Sequence, residues 1–107
     1  MDRHRLAELT SVELHREVGR RLRGRPEILR RARQRVHGWL ETGEVSPYYA
    51  EPWARALSMP LDDLCAFLVE DSEHARAMRQ VSPFAGALDA PTRWVIWKRL
   101  RRTACAP

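Results

Sequence analysis

Cysteine and glycine are both scarce in this chain. Two cysteines, Cys65 and Cys105, cannot make a disulfide framework, so a reducing compartment, the cytoplasm, is expected. The five glycines never cluster, and no Walker loop or GxGxxG occurs, so no phosphate cradle is legible. Neither CxxC nor HExxH is present. The four histidines, His4, His15, His37 and His74, lack metal-ligand spacing. The nearest approach is Glu70, four residues before His74, which reads as a surface contact. Neither metal nor cofactor is expected, and nothing in these motifs suggests an enzyme. No apolar run approaches the roughly 18 residues of a membrane span, so no membrane association is expected. Met1 to Arg5 precede no apolar h-region, so no signal peptide is expected. No segment alternates polar with β-branched residues, which leaves strands without a signal.

What is present is helical patterning. The 107 residues suit one domain, and 44% hydrophobic content is too apolar for a disordered chain. Thr10-Ser11-Val12-Glu13 fits a capping box. Leu14, Val18 and Leu22 then follow at fourfold spacing, which predicts a first helix over about 11–23, after a loose lead-in of residues 1–9. Gly24 ends it, and the short turn predicts an αα-hairpin with the next helix.

That second helix, between Pro26 and Gly43, carries the strongest pattern and is expected to be the longest. Ile28, Leu29, Ala32, Val36, Trp39 and Leu40 fall within about 120° of one face at roughly 100° per residue. Arg30, Arg31, Arg33 and Arg35 lie outside it. Pro26 suits the first turn and Gly43 the C-terminal cap.

Ser46-Pro47 caps a third helix that Pro52 either kinks or splits, leaving a helix over 51–58. Leu61, Leu64, Cys65 and Leu68 mark a fourth helix over about 60–70, with Cys65 as a small core residue. Asp71-Ser72-Glu73 caps a fifth through Gln80, and Ser82–Gly86 reads as an apolar loop. Asp89 caps a last helix containing Trp94, Ile96, Trp97 and Leu100, and residues 103–107 are expected to fray. The chain is therefore expected to be a single all-α domain of five or six helices.

Charge is segregated. Residues 1–40 carry +6, residues 41–73 carry −7 and residues 74–107 carry +6, for a net +5. Such a chain can complement itself or face partners of either sign. Eighteen of the nineteen cations are Arg, which suits bidentate contact with phosphate or carboxylate.

Two resemblances follow from particular stretches. Trp39-Leu40-Glu41-Thr42-Gly43-Glu44 through Pro47, then Trp53–Leu57 and Pro60–Leu64, resemble the last two helices of a Cro/C1-type (Xre) helix-turn-helix domain. Residues 11–38 carry no short helix–turn–helix pair to complete that motif. The whole chain also resembles short bacterial proteins of the kind encoded beside toxin genes. The carriers are Leu14–Val18, the Arg-rich second helix, Pro47–Glu51 with Trp53, and Arg79–Gly86 followed by Arg93-Trp94. This resemblance implies an antitoxin-like or immunity-like companion that binds a toxin in a hetero-complex and can also bind its own operator.

Two candidate surfaces result. The last helix has four consecutive apolar residues, Trp94 to Trp97, which cannot all face one side, with cations beside them. Phe84, Arg93, Trp94, Trp97, Lys98, Arg99, Arg101 and Arg102 are the expected contacts to a protein partner, in the composition typical of interface hot spots. Arg30, Arg31, Arg33 and Arg35 are the expected contacts to nucleic acid, the alternative reading being a DNA-binding regulator. No aromatic interleaves with them, so phosphate contact is expected rather than base stacking.

Overall fold

The computed structural model describes residues 2–104, and these form an all-helical domain with no strand among them. Six helices follow in order: α1 Arg3–Arg21, α2 Pro26–Thr42, α3 Pro47–Ala56, α4 Leu61–Leu68, α5 Glu73–Gln80 and α6 Ala90–Ala104. No helix is long and apolar enough to cross a membrane.

α1 departs from expectation. It begins eight residues early, at Arg3, because Asp2 rather than Thr10 caps it: an Asp2 carboxylate oxygen accepts from the Arg5 N–H at 2.7 Å. Thr10 lies inside the helix, its hydroxyl donating to the Leu6 carbonyl at 2.7 Å. The apolar row thus extends back from Leu14 to Leu6, with Thr10 spending its polarity internally. At 19 residues α1, not the 17-residue α2, is the longest helix. It is also the hub, packing against α4, α5 and α6. Gly19 allows the approach to α4: a Cβ there would stand 3.4 Å from the Cys65 Sγ.

α2 buries Ile28, Ala32, Val36 and Trp39, and it ends on Gly43 at φ 73°, as its sequence predicts. Leu40 is left exposed at the edge of the stripe. A short turn joins α1 and α2, but the principal packing of α2 is on α3. In α3, Pro52 sits inside a continuous helix. The helix survives the missing N–H because Ala50, Trp53 and Ala56 anchor it in the core.

Trp53 is fully buried at the centre. Its ring meets Phe67 and Phe84 edge-on at 5.6 and 6.0 Å, and its indole N–H donates to the carbonyls of Met78 and Val81 at 3.2 and 2.7 Å. One side chain therefore ties α3 to α4, to the end of α5 and to the following loop. The helical ends that sequence predicts are otherwise observed: Ser46, Ser72 and Asp89 accept from backbone N–H groups two or three residues on. α6 is helical through Ala104, and residues 105–107 of the tail expected to fray lie outside the described residues.

Candidate partner surface and adjoining cleft

α6 sorts its apolar run by side. Ile96 is buried and Leu100 half-buried against the core, whereas Trp94 and Val95 are 55% and 56% exposed. Trp97 lies half-buried at the boundary. Three residues apart on one helix, Trp94 and Trp97 stack at 5.0 Å with their planes 20° apart. The next turn adds cations: the Lys98 ammonium stands 5.8 Å from the Trp94 ring centre, and the Arg101 guanidinium 5.0 Å from that of Trp97. Arg93, Arg99 and Arg102 are exposed beside them. α6 contains no acid, and none of its cations forms an ion pair among the described residues. Among the described residues, the charge blocks meet in few pairs: Arg23–Asp62 and, when the histidine is protonated, His37–Glu41 join the first block to the acidic one, and Arg76–Asp71 joins the last.

Phe84 requires correction as a partner contact. It is buried against Trp53, drawn inward because the 82–88 loop supplies core volume that the short helices α4 and α5 leave unfilled. The four arginines of α2 also divide. Arg33 donates through Nε and Nη2 to the Leu57 carbonyl at 3.3 and 3.0 Å, where α3 ends. Arg35 donates through Nη1 to the carbonyls of Pro83 and Ala85 at 3.2 and 2.7 Å. Arg30 and Arg31 are exposed and make no hydrogen bond among the described residues.

Between α1, the 82–88 loop and α6 lies a cleft of about 600 Å³. Its apolar walls come from Leu6, Leu14 and Val18 on one side and from Phe84, Leu88 and Trp97 on the other. Trp97 thus belongs to both the exposed α6 surface and this cleft. The polar residues of the wall include His15, Arg79 and Ser82, which the sequence placed in stretches carrying a resemblance but not among the expected contacts.

His15 is buried, with Nδ1 2.7 Å from the Ser11 carbonyl and Nε2 2.8 Å from Ser82 Oγ. A carbonyl only accepts, so Nδ1 carries the proton and neutral Nε2 accepts from the serine hydroxyl. Burial lowers the His15 pKa, the Arg79 charge lowers it further, and the Ser11 hydrogen bond opposes both. A serine paired with a neutral imidazole has the arrangement of a nucleophile and its base. Here Ser82 Oγ also accepts from the Phe84 N–H at 3.1 Å, which makes it the residue that shapes the turn.

Arg79 is 6% exposed. Its Nη1 donates to the carbonyls of Leu68 and Glu70 at 3.3 and 3.0 Å, closing the α4–α5 connection. Burial works against its charge, as does Arg76, while Asp71, Glu70 and Glu8 favour it. No group of three or more His, Cys, Asp or Glu side chains among the described residues is arranged to hold a metal ion. Comparison of the chain with protein-family models, with curated proteins and with solved structures gave no match.

Proposed function

We propose that this chain is a non-enzymatic binding protein of the antitoxin kind, which neutralises a partner toxin by direct contact through α6. The observation that carries the reading is the stacked pair of exposed Trp94 and half-buried Trp97, with Lys98 and Arg101 against their rings. Stacking fixes two large side chains before any partner arrives, so little rotamer freedom remains to be lost on binding. Aromatic anchors beside Arg are the composition in which binding energy concentrates. The surrounding cations have no acid of their own to answer, so the complementary partner surface is acidic with an apolar groove.

Co-expression with the product of a neighbouring gene tests this. The parent chain should co-purify with that product and relieve its toxicity. Trp94→Ala, at an exposed position, should keep the fold and weaken the complex about tenfold or more. A Trp94→Ala chain that binds and protects as well as the parent removes α6 as the interface. The alternative, a DNA-binding regulator, rests on α2, where Arg30 and Arg31 remain free but Arg33 and Arg35 already serve the fold.

A further inference from the structure

The cleft and Arg79 belong together. Nη1 of Arg79 is taken by two backbone carbonyls, but no described residue accepts from its Nε or Nη2. Among the described residues, no buried side-chain nitrogen or oxygen is sealed from solvent without a partner, so those two nitrogens open onto space. Arg79 stands in the wall of both the 600 Å³ cleft and a smaller recess of about 220 Å³. No carboxylate among the described residues comes within ion-pair distance of Arg79. A guanidinium so thoroughly buried is ordinarily answered by a carboxylate in contact. Its free edge, Nε with Nη2, is the edge that receives a carboxylate through two parallel hydrogen bonds.

The surroundings narrow the ligand further. Leu14, Val18, Phe84 and Leu88 offer an apolar bed, and the cleft volume falls in the range of about 300–1,000 Å³ usual for small-molecule sites. Arg3 and Arg93 stand in the same walls and add positive charge. The groups facing the seat from α1 are neutral His15 and, on the recess side, Glu8 and His4; from α5 it is Arg76.

We propose that this cleft binds an amphipathic monocarboxylate, its carboxylate on the free edge of Arg79 and its aliphatic or aromatic body along Leu14, Val18, Phe84 and Leu88. One free guanidinium edge matches one carboxylate, and the bed of Leu14, Val18, Phe84 and Leu88 favours an apolar body. The site does not depend on the partner reading of α6, although Trp97 borders both.

Titration of the full chain with sodium decanoate and, separately, with 1-decanol tests the proposal, followed by calorimetry and backbone amide shifts. Decanoate should bind about tenfold or more tighter than 1-decanol, the difference being the carboxylate. Shifts should fall on α1, the 82–88 loop and the Trp97 indole. Arg79→Gln should bring decanoate down to the affinity of the alcohol. If that variant does not fold, the ratio of the two ligands on the parent chain decides the matter. Ala7→Trp, at an exposed α1 position in the cleft wall, should weaken both ligands. Equal affinity for acid and alcohol, shifts confined to the outer α6 face, or no binding at millimolar decanoate each overturns the proposal.

Discussion

Nε2 of His15 and Oγ of Ser82 stand 2.8 Å apart, although 67 residues separate them. This bond pins the loop that forms one side of the cleft to the helix that forms the other. It also makes the join sensitive to protonation. Below about pH 6.5, the ordinary histidine pKa, the unfolded chain takes up a proton that buried His15 resists. The folded state therefore loses stability as pH falls through that value, and His15 contributes no pH dependence above it. The melting temperature should be flat from about pH 7 to 8 and decline from about 6.5 to 5.5. His15→Gln should flatten that decline, and an unchanged slope in the variant would assign it to other groups.

Trp53 should be the least replaceable side chain. Trp53→Phe keeps much of the ring but removes the donor of the Val81 carbonyl, while the Met78 carbonyl keeps the Val81 N–H. An unsatisfied buried acceptor costs about 1–3 kcal/mol, so denaturant unfolding should show a loss in that range, with some added by the smaller ring. A Trp53→Phe chain as stable as the parent would show that this carbonyl finds another donor.

Charge on α6 can be tested without touching its aromatics. Arg99→Glu with Arg102→Glu reverses two exposed cations that make no ion pair among the described residues. Stability should change by no more than about 0.5 kcal/mol per site. Neutralisation of a co-expressed toxin should fall sharply. Full protection by the folded double variant would separate the toxin contact from this charge.

The arginines of α2 should divide by role. Arg35→Ala should lower stability by about 1 kcal/mol, because two loop carbonyls lose their donor. Arg30→Ala and Arg31→Ala should change it by less than about 0.5 kcal/mol. Any binding to duplex DNA should weaken steeply as salt rises from about 50 to 200 mM, as counterion release requires. Sequence-specific binding indifferent to that change would point to base contacts that α2 does not present.

The helices were legible because their signals are local. Gly43 at positive φ, Asp89 at a cap and the alternation of Ile28, Ala32 and Val36 each lie within a few residues of what they determine. The start of α1 departs from the pattern for the same reason: Thr10 and Glu13 spell a cap, yet Asp2 supplies one earlier and Thr10 turns its hydroxyl to the Leu6 carbonyl inside the helix. Hub status could not be read at all. α2 has the cleaner stripe, but it is α1 that packs on three other helices, a property of the partners rather than of the pattern.

The site was half legible. The division of Trp94 from Ile96 follows from a helix having two sides, and the cations beside the indoles follow from spacing of four. Phe84 looked like a loop residue free for contact, and tertiary packing took it inward. The cleft depends on His15, Arg79 and Ser82 meeting across long stretches of chain. The only local hint was His15 beside Leu14 and three residues before Val18, on the inner side of its helix.

Arg33 and Arg35 bear on more than stability. Arg33 holds the end of α3, and Arg35 holds the loop whose far side lines the cleft. α2 therefore offers an incoming anion two unengaged guanidiniums, Arg30 and Arg31, a third, Arg35, whose Nη1 is held by the loop while Nε and Nη2 have no acceptor among the described residues, and a fourth, Arg33, whose Nε and Nη2 are taken by the Leu57 carbonyl. An anion on the Nε–Nη2 edge of Arg35 would sit beside Nη1 bonds to the Pro83 and Ala85 carbonyls that remain in place. A single arginine thus spans from the outer side of α2 to the loop that forms one wall of the cleft, gripping it through Nη1 alone.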